Sequence, residues 1–143
     1  MMPWQSCART VIVPDASVLA VALADDGRSG DLARDRLHGE RLAAPEIIDL
    51  EVLSVLRRQL RVGGLDLRRA VLAVRDLQDL PLDRAPHQPL VHRCWELRDN
   101  LTPYDAAFVA LAELLDVPVV TGDNRLARAP GPRCPIEVIG QAE

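Results

Sequence analysis

The chain has 143 residues, 48% of them hydrophobic, which suits one domain with a core of its own. Its 17 basic residues, all of them arginine, are outnumbered by 21 acidic residues, so the net charge is −4. Without lysine there can be no Walker A phosphate loop and no Schiff-base chemistry, and the net acidity argues against a broad basic surface for nucleic acid.

Short apolar segments alternate with amphipathic or apolar segments along the chain. Strands are predicted at residues 10–14, 41–44, 80–85, 117–121 and 133–139. Helices are predicted at residues 17–24, 29–38, 46–62, 66–77, 89–98, 102–115 and 124–129. This alternation is typical of an α/β fold with a mostly parallel sheet and helices on both faces.

A single domain is expected over residues 1–143, with residues 1–9 as a flexible extension. The cysteines Cys7, Cys94 and Cys134 have neither zinc-ligand nor redox spacing, which favours a reducing compartment. The three histidines form no i,i+4 metal-binding pair, and His87 and His92 are interpreted as structural. Neither a signal peptide nor a membrane span is recognised, so we expect a cytoplasmic protein.

Two predicted strands end at an aspartate. Asp15 follows the first strand, and Asp123 follows the strand at 117–121 after one glycine. Ligands of open parallel sheets bind at the carboxyl ends of the strands, so these side chains are candidates for one shared site. Each also has an ordinary structural interpretation, because Asp15 can cap the next helix and Asp123 can lie in a turn.

The predicted helix at 46–62 carries a narrow polar stripe on an otherwise apolar surface. At about 100° per residue, Glu51, Ser54 and Arg58 lie on one side, and Arg57 extends the polar edge. A carboxylate among apolar neighbours is costly unless a cation or hydrogen-bond donors meet it. The alternative is an amphipathic helix whose polar strip faces solvent.

Asp105 lies at the start of a strongly apolar helix. Thr102, Pro103 and Asp105 match a capping box with proline at the first helical position, which is a structural explanation for the carboxylate. The helix that follows is apolar on almost every side. A helix that is packed against protein on most of its faces has its first turn in a protein cleft and not in bulk water.

Four acidic side chains thus lie at the ends of predicted elements or on apolar faces: Asp15, Glu51, Asp105 and Asp123. Clustered carboxylates raise one another's pKa and stay ionised together only if cations neutralise them. Oxygen ligands without histidine or cysteine favour Mg²⁺ or Mn²⁺, and such ions activate water and stabilise the leaving oxygen in phosphodiester cleavage. Whether the four acids cluster depends on the fold.

The order and spacing of these acids resemble those of a PIN-domain ribonuclease, and more narrowly of a VapC-type toxin of a bacterial toxin–antitoxin pair. The resemblance runs from about Thr10 to Ile139. It is carried by four motifs in order: Val-Pro-Asp-Ala-Ser at 13–17, Pro-Glu-Ile-Ile-Asp-Leu-Glu-Val-Leu-Ser at 45–54, Asn-Leu-Thr-Pro-Tyr-Asp at 100–105 and Thr-Gly-Asp-Asn at 121–124.

The resemblance implies a compact α/β/α sandwich, endoribonuclease activity dependent on Mg²⁺ or Mn²⁺, frequent homodimers and inhibition by a small VapB-like antitoxin. It implies four acidic residues at the catalytic metal site: Asp15, Glu51, Asp105 and Asp123. It implies supporting polar residues around them: Ser17, Ser54, Thr121 and Asn124. Arginines available to hold the RNA backbone are Arg57, Arg58, Arg61 and Arg125.

Two other functional interpretations of the sequence compete with the nuclease. A catalytically silent partner-binding module on the same fold is supported by the net acidity and by the capping explanation of Asp105, although a degenerate member should lack one of the four acids. A haloacid-dehalogenase-like phosphatase also begins with a strand-ending aspartate. That enzyme needs a second aspartate two residues later and a lysine, whereas this chain has Ser17 there and no lysine.

Overall fold

The computed structural model describes residues 10–140, and within them a five-stranded, wholly parallel sheet forms the centre of the fold. The strands are β1 (Val11–Pro14), β2 (Arg41–Pro45), β3 (Leu82–Ala85), β4 (Val119–Thr121) and β5 (Ile136–Val138). Their spatial order is β3-β2-β1-β4-β5. The predicted α/β fold is confirmed, whereas the extension expected at residues 1–9 lies outside the described residues.

Seven α-helices connect and flank the strands of the described chain. They are α1 (Ala16–Ala24), α2 (Arg28–Leu37), α3 (Ile48–Arg61), α4 (Leu67–Asp79), α5 (Val91–Glu96), α6 (Pro103–Leu115) and α7 (Asn124–Arg128). A single 3₁₀ turn at Gln88–Leu90 leads into α5. Helix α1 packs against α2, α3 and α4, and α6 packs against β1 and β2.

Both faces of the sheet are covered. Ile12 and Val13 are consecutive residues of β1 and are 1% and 0% exposed. Because consecutive strand residues point to opposite faces, helices must pack on both sides of this strand. Val119 and Val120 of β4 show the same double burial. This is the layered arrangement that the continuous apolar strands predict.

Several element boundaries differ from the sequence prediction, and the start of the third helix has a clear physical reason. The strand predicted at residues 41–44 is one residue longer, because Pro45 ends β2, where it pairs with Ala85 of β3. The Glu46 amide then donates to the Ala85 carbonyl at 2.9 Å, so strand pairing continues beyond the proline. Helix α3 therefore begins at Ile48, about half a turn later than expected.

The chain order places a crevice at the carboxyl ends of β1 and β4. From β1 the chain builds outward through β2 and β3, and it later returns to the other side of β1 with β4 and β5. Such a reversal leaves a gap between the connections that leave the two central strands, which is where ligands of open α/β sheets bind. In residues 10–140, no helix is long and apolar enough to cross a membrane.

Candidate active site

Asp15 is held at the carboxyl end of β1 by contacts on every side. Its amide donates to the Val120 carbonyl at 3.0 Å, which extends the β1–β4 ladder by one residue. Its carboxylate caps α1 by accepting from the Val18 amide at 3.2 Å. The Ser17 hydroxyl donates to Oδ1 and the Thr121 hydroxyl to Oδ2, both at 2.5 Å. The capping explanation of Asp15 is correct, and it coexists with a position in the crevice.

The two hydroxyls that hold Asp15 also fix the turn after β4. The Gly122 amide donates to the Ser17 hydroxyl at 3.0 Å, and the Asp123 amide donates to the Thr121 hydroxyl at 3.0 Å. Thr121 is completely buried. A small hydrogen-bonded network therefore links the ends of the two central strands. Gly122 was not singled out from the sequence, although the Thr-Gly-Asp pattern contains it.

Glu51 lies on α3 with a carboxylate oxygen that nothing satisfies. Its Oε1 atom is buried and has no hydrogen-bond partner within the described part of the chain. Desolvation raises the pKa of Glu51, and the charges of Asp105 and Asp15 raise it further. The side chain therefore does not lie in an open solvent-facing strip, and it is close enough to two other acids to feel their charge.

Asp105 lies in the first turn of α6 with the capping arrangement that the sequence predicts. Thr102 is the N-cap, Pro103 takes the first helical position, and the Asp105 amide donates to the Thr102 hydroxyl at 3.2 Å. The side chain is accessible on the open side of the crevice. Desolvation by the surrounding protein nevertheless raises its pKa, and the charges of Asp15 and Asp123 add to that shift.

Asp123 differs from the other three acids in its charge environment. It caps α7 by accepting from the Arg125 amide at 2.8 Å, and the Arg125 guanidinium lies 3.3 Å from both carboxylate oxygens. The amide hydrogen bond lowers the pKa of Asp123, and the guanidinium lowers it further. One acid at the site therefore already has a cation beside it.

The fold thus brings the four predicted acids into one electrostatic neighbourhood. The charges of Asp105 and Asp15 raise the pKa of Glu51. The charges of Asp15 and Asp123 raise the pKa of Asp105. Burial raises the pKa of three of the four carboxylates, and for Glu51 and Asp105 the charges of neighbouring acids raise it further. A cation between them would relieve both effects.

The residues present suit a hard divalent cation. The donors are carboxylate oxygens, which Mg²⁺ and Mn²⁺ prefer, and the unpartnered Glu51 Oε1 offers a free acceptor. Within residues 10–140, however, no group of three or more acidic, histidine or cysteine side chains forms a ready-made ligand shell.

The other residues singled out from the sequence divide into two groups. Ser17 and Thr121 touch Asp15 directly. Ser54 and Asn124 are exposed, and neither side chain has a hydrogen bond to the four acids among the described residues. The arginines of α3 are exposed, and their guanidinium groups form no ion pair within residues 10–140: Arg57, Arg58 and Arg61.

His87 positions the helix that carries Glu51, a role that the sequence does not reveal. Its Nε2 atom accepts from the Ile47 amide at 3.1 Å, at the start of α3. The free amides at a helix start need acceptors, and the N-cap Ile47 has no side-chain oxygen to supply one. The structural interpretation of this histidine is therefore correct, but its partner lies 40 residues away and no sequence signal indicates it.

A parallel α/β sheet with four acids at its switch point is the arrangement that the sequence resemblance implies, and the comparisons with known proteins give the class of protein. The sequence model of the PIN domain matches residues 12–132. The chain is 42% identical to ribonuclease VapC1 of Mycobacterium tuberculosis over 128 residues, which cover 89% of this chain and 96% of the relative.

Two solved structures share the fold at lower sequence identity. One is PAE2754 from Pyrobaculum aerophilum, with a TM-score of 0.64, 22% identity, and 92% of this chain and 85% of that chain covered. The other is VapBC2 from Rickettsia felis bound to a DNA fragment of its promoter, with a TM-score of 0.61, 16% identity, and 90% and 98% covered. The chain belongs to the PIN-domain family, in the group of VapC-type ribonucleases.

Proposed function

We propose that this protein is the endoribonuclease toxin of a toxin–antitoxin pair and that it cleaves RNA in a reaction dependent on Mg²⁺ or Mn²⁺. The observation that supports the metal dependence best is the Glu51 carboxylate, with one buried, unpartnered oxygen, in the field of Asp15 and Asp105. Such a carboxylate is destabilising in a protein that works without a cation. In a metal enzyme, it is an available ligand.

Asp15, Glu51, Asp105 and Asp123 would hold the ion, which supplies positive charge for the phosphate oxygens as cleavage proceeds. In hydrolysis, water adds to phosphorus, the bond from phosphorus to the leaving ribose oxygen breaks, and the proton of the water must be accepted. Glu51 and Asp105 are candidates for accepting that proton, because each carries a carboxylate in the electrostatic neighbourhood of Asp15. Ser17 and Thr121 orient Asp15.

The charge distribution suits an acidic site with arginines around it. Removing the four site acids from the 21 acidic residues leaves 17, which equals the number of arginines, so the rest of the chain is formally neutral. The bound cation and the unpaired guanidinium groups of α3 would then provide the positive charge that an RNA backbone needs. Arg57, Arg58 and Arg61 are accessible for this purpose.

The proposed partners follow from the relatives. The names VapC1 and VapBC2 suggest that an antitoxin of VapB type inhibits this chain as well. We propose a homodimer in the cytoplasm as the working form. Co-expression of the neighbouring small open reading frame with the tagged chain, followed by purification and light scattering, tests the antitoxin and the dimer together. Recovery of the tagged chain alone, at monomer mass, would contradict both.

The nuclease activity is tested with the full chain, total RNA and added Mg²⁺ or Mn²⁺. We expect cleavage at defined positions that chelation abolishes and that the Asp15→Asn and Asp105→Asn variants lack. Asp35→Asn is the matched control, because Asp35 is an exposed carboxylate on α2 outside the crevice. Thermal unfolding verifies that each variant is folded.

Cleavage that survives both substitutions, or that is unaffected by chelation, would contradict the proposal. Calorimetric titration with Mg²⁺ separates the nuclease from the silent module. A silent module would bind the antitoxin normally but would show no divalent-ion binding that depends on Asp15.

A further inference from the structure

A second cavity lies beside the candidate site, and its walls are almost wholly apolar. It has a volume of about 420 Å³ and is open to solvent. Its lining includes Ile47, Leu90, Trp95, Pro103, Tyr104 and Ala107. Pockets of about 300–1,000 Å³ with apolar walls and a few polar groups are typical of small-ligand sites. Neither the acids nor the arginines discussed above line this cavity.

The cavity collects the exposed aromatic side chains of a chain that has very few aromatics. Only 3% of the residues are aromatic. Among residues 10–140 they are Phe108, which is buried in the core, and Trp95 and Tyr104, which are 65% and 59% exposed. Both exposed rings line this one cavity. Large aromatic rings left in water beside an open cavity are characteristic of binding surfaces.

A cation accompanies these rings. The Arg98 guanidinium lies over the Trp95 ring, 4.5 Å from its centroid, and donates to the Trp95 carbonyl at 3.0 Å. Arg98 lines the cavity and has no carboxylate partner in the described part of the chain. Its charge is therefore available to an anion, while its plane is held against an aromatic face.

The cavity adjoins the carboxylates through two helices. Ile47, the N-cap of α3, precedes Glu51 by about one turn on the same side of the helix. On α6, Tyr104 directly precedes Asp105. At about 100° per residue, Asp105 lies on one side of the first turn of α6 and Pro103, Tyr104 and Ala107 on the other. A ligand that crosses this turn would reach both places.

We propose that this cavity, the base pocket, binds an unpaired nucleobase of the RNA that is cleaved at the neighbouring carboxylates. This inference rests on the proposed function and adds to it a subsite for one unpaired base of the RNA. Unpaired bases stack on aromatic rings and arginine planes, as Trp95, Tyr104 and Arg98 would allow. The Arg98 charge faces the phosphate next to the stacked base.

The chemistry favours RNA over an apolar protein partner. A protein helix seated over this cavity would bury the Arg98 guanidinium, and no carboxylate of the described residues is there to neutralise it. An RNA strand brings its own negative charge to that position. A base also offers two flat faces to rings that are already exposed, so little rearrangement is needed.

The test measures RNA binding in the Asp15→Asn background, in which the RNA stays intact. The probe is a short labelled single-stranded RNA of mixed sequence, compared with the same sequence as a duplex. We expect Trp95→Leu to weaken single-strand binding by about 5- to 100-fold, as loss of one stacked base does, and Trp95→Phe to retain most of the affinity. Duplex binding should not respond, because its bases are already paired and stacked.

Leu114→Ala is the matched control, because Leu114 is 68% exposed at the far end of α6 and lies outside the pocket. A Trp4→Phe variant leaves Trp95 as the single tryptophan of the chain, and its fluorescence should be quenched as RNA is added. Arg98→Lys keeps the charge but not the planar stack, so it should weaken binding less than Arg98→Gln.

Unchanged affinity of Trp95→Leu, or a Trp95 fluorescence that does not respond to RNA, would overturn the base pocket. The base pocket would also be overturned if Trp95→Leu changed the oligomeric mass measured by light scattering and left the RNA affinity per protomer unaltered. This face would then be a contact between copies of the chain. The proposed nuclease fails separately: wild-type chain that cleaves no RNA with Mg²⁺ or Mn²⁺, yet binds it through Trp95, would contradict the activity and support the pocket.

Discussion

The hydroxyl of Thr121 donates to Oδ2 of Asp15, although 106 residues separate them in sequence. The two residues meet because β1 and β4 are adjacent, with Pro14 opposite Val120, so the next residue of each strand lies at the same edge. The same hydroxyl accepts from the Asp123 amide. One buried threonine thus couples the carboxylate of the first strand to the turn that presents the last acid.

Removing this hydroxyl while keeping the shape of the side chain isolates its contribution. We expect Thr121→Val to lower the free energy of unfolding by about 1–3 kcal/mol, because the half-buried Asp123 amide loses its acceptor. RNA cleavage should fall by about 10- to 100-fold, the usual cost of losing a side chain that orients a metal ligand. Urea unfolding and cleavage rates measure the two effects. Thr121→Ser should restore most of both, and a Val variant with wild-type cleavage would contradict the positioning role.

We expect the Asp15 carboxylate to lower the stability of the metal-free folded protein and to be required for RNA cleavage. Burial raises its pKa despite four hydrogen bonds, so the ionised form is disfavoured in the folded protein without metal. We expect Asp15→Asn to unfold at a higher temperature than wild type when both are metal-free at neutral pH. Cleavage should drop by about 100-fold or more. Calorimetry with and without chelator measures the stability.

Added Mg²⁺ should reverse this order of stability. Ligand binding to the folded state stabilises it in proportion to the logarithm of ligand concentration above the dissociation constant. Wild type should therefore gain stability with Mg²⁺, and the Asp15→Asn variant should gain much less. Equal gains in the two proteins would show that Asp15 contributes nothing to the ion.

The sequence predicts those parts of the site that depend on local pattern. An apolar strand ending in aspartate located Asp15 and Asp123, and a capping pattern located Asp105 at the start of α6. For Asp15 the structural interpretation is also correct, because its carboxylate caps α1, whereas at the start of α6 the capping group is the Thr102 hydroxyl, which accepts from the Asp105 amide. A side chain that caps a helix at the carboxyl end of a parallel sheet also faces the crevice. Helix capping and a place in the candidate active site are therefore compatible.

Local sequence patterns do not predict contacts between side chains that lie far apart in the sequence. Nothing local indicates that His87 accepts from the Ile47 amide, or that the Arg98 plane and Tyr104 border one cavity. The helical wheel placed Glu51 on a polar stripe, but only packing shows that its Oε1 is buried while Ser54 and Arg58 face solvent. The position of Pro45 also depended on its neighbour strand, because Ala85 of β3 extends the pairing.

Arg125 and a metal ion compete for Asp123. The guanidinium lies 3.3 Å from the carboxylate, but the arginine side chain is 87% exposed, so the pair is weak. We expect Arg125→Gln to bind Mg²⁺ up to about 5-fold more tightly, as loss of an exposed pair allows, and single-stranded RNA more weakly. Isothermal titration measures both constants. Arg75→Gln, at an exposed arginine of α4, controls for the change in net charge, and weaker Mg²⁺ binding by the Arg125 variant would contradict the competition.

The arginines of α3 should act on RNA through charge alone. Arg58 is exposed and its guanidinium has no ion pair among residues 10–140, so a phosphate contact would cost no existing bond. We expect Arg58→Gln to reduce the slope of log affinity against log salt by about 0.7 for single-stranded RNA, the value for one phosphate contact. Filter binding over a salt series measures the slope. An unchanged slope, as expected for Arg75→Gln, would remove Arg58 from the RNA surface.

The ion pair between Arg93 of α5 and Glu113 of α6 should make stability fall in acid. Burial alone would raise the pKa of Glu113, but hydrogen bonds from the Arg93 guanidinium at 2.7 Å and from the Arg133 amide at 2.7 Å outweigh it, so the pKa is lowered below 4.5. The unfolded chain then binds a proton that the folded chain does not, so stability rises with pH through this range and is lost as pH falls through the folded pKa.

Glu113→Gln should therefore lower the free energy of unfolding at neutral pH, by about 1.5–3 kcal/mol for a hydrogen-bonded charge, and should flatten its decline in acid. Urea unfolding of both proteins from neutral to acidic pH measures this difference. Glu96→Gln is the matched control, because Glu96 approaches the same arginine only to 3.7 Å and its side chain is 45% exposed. If the stability difference between Glu113→Gln and wild type persisted unchanged into acid, the ionised carboxylate would not be its source.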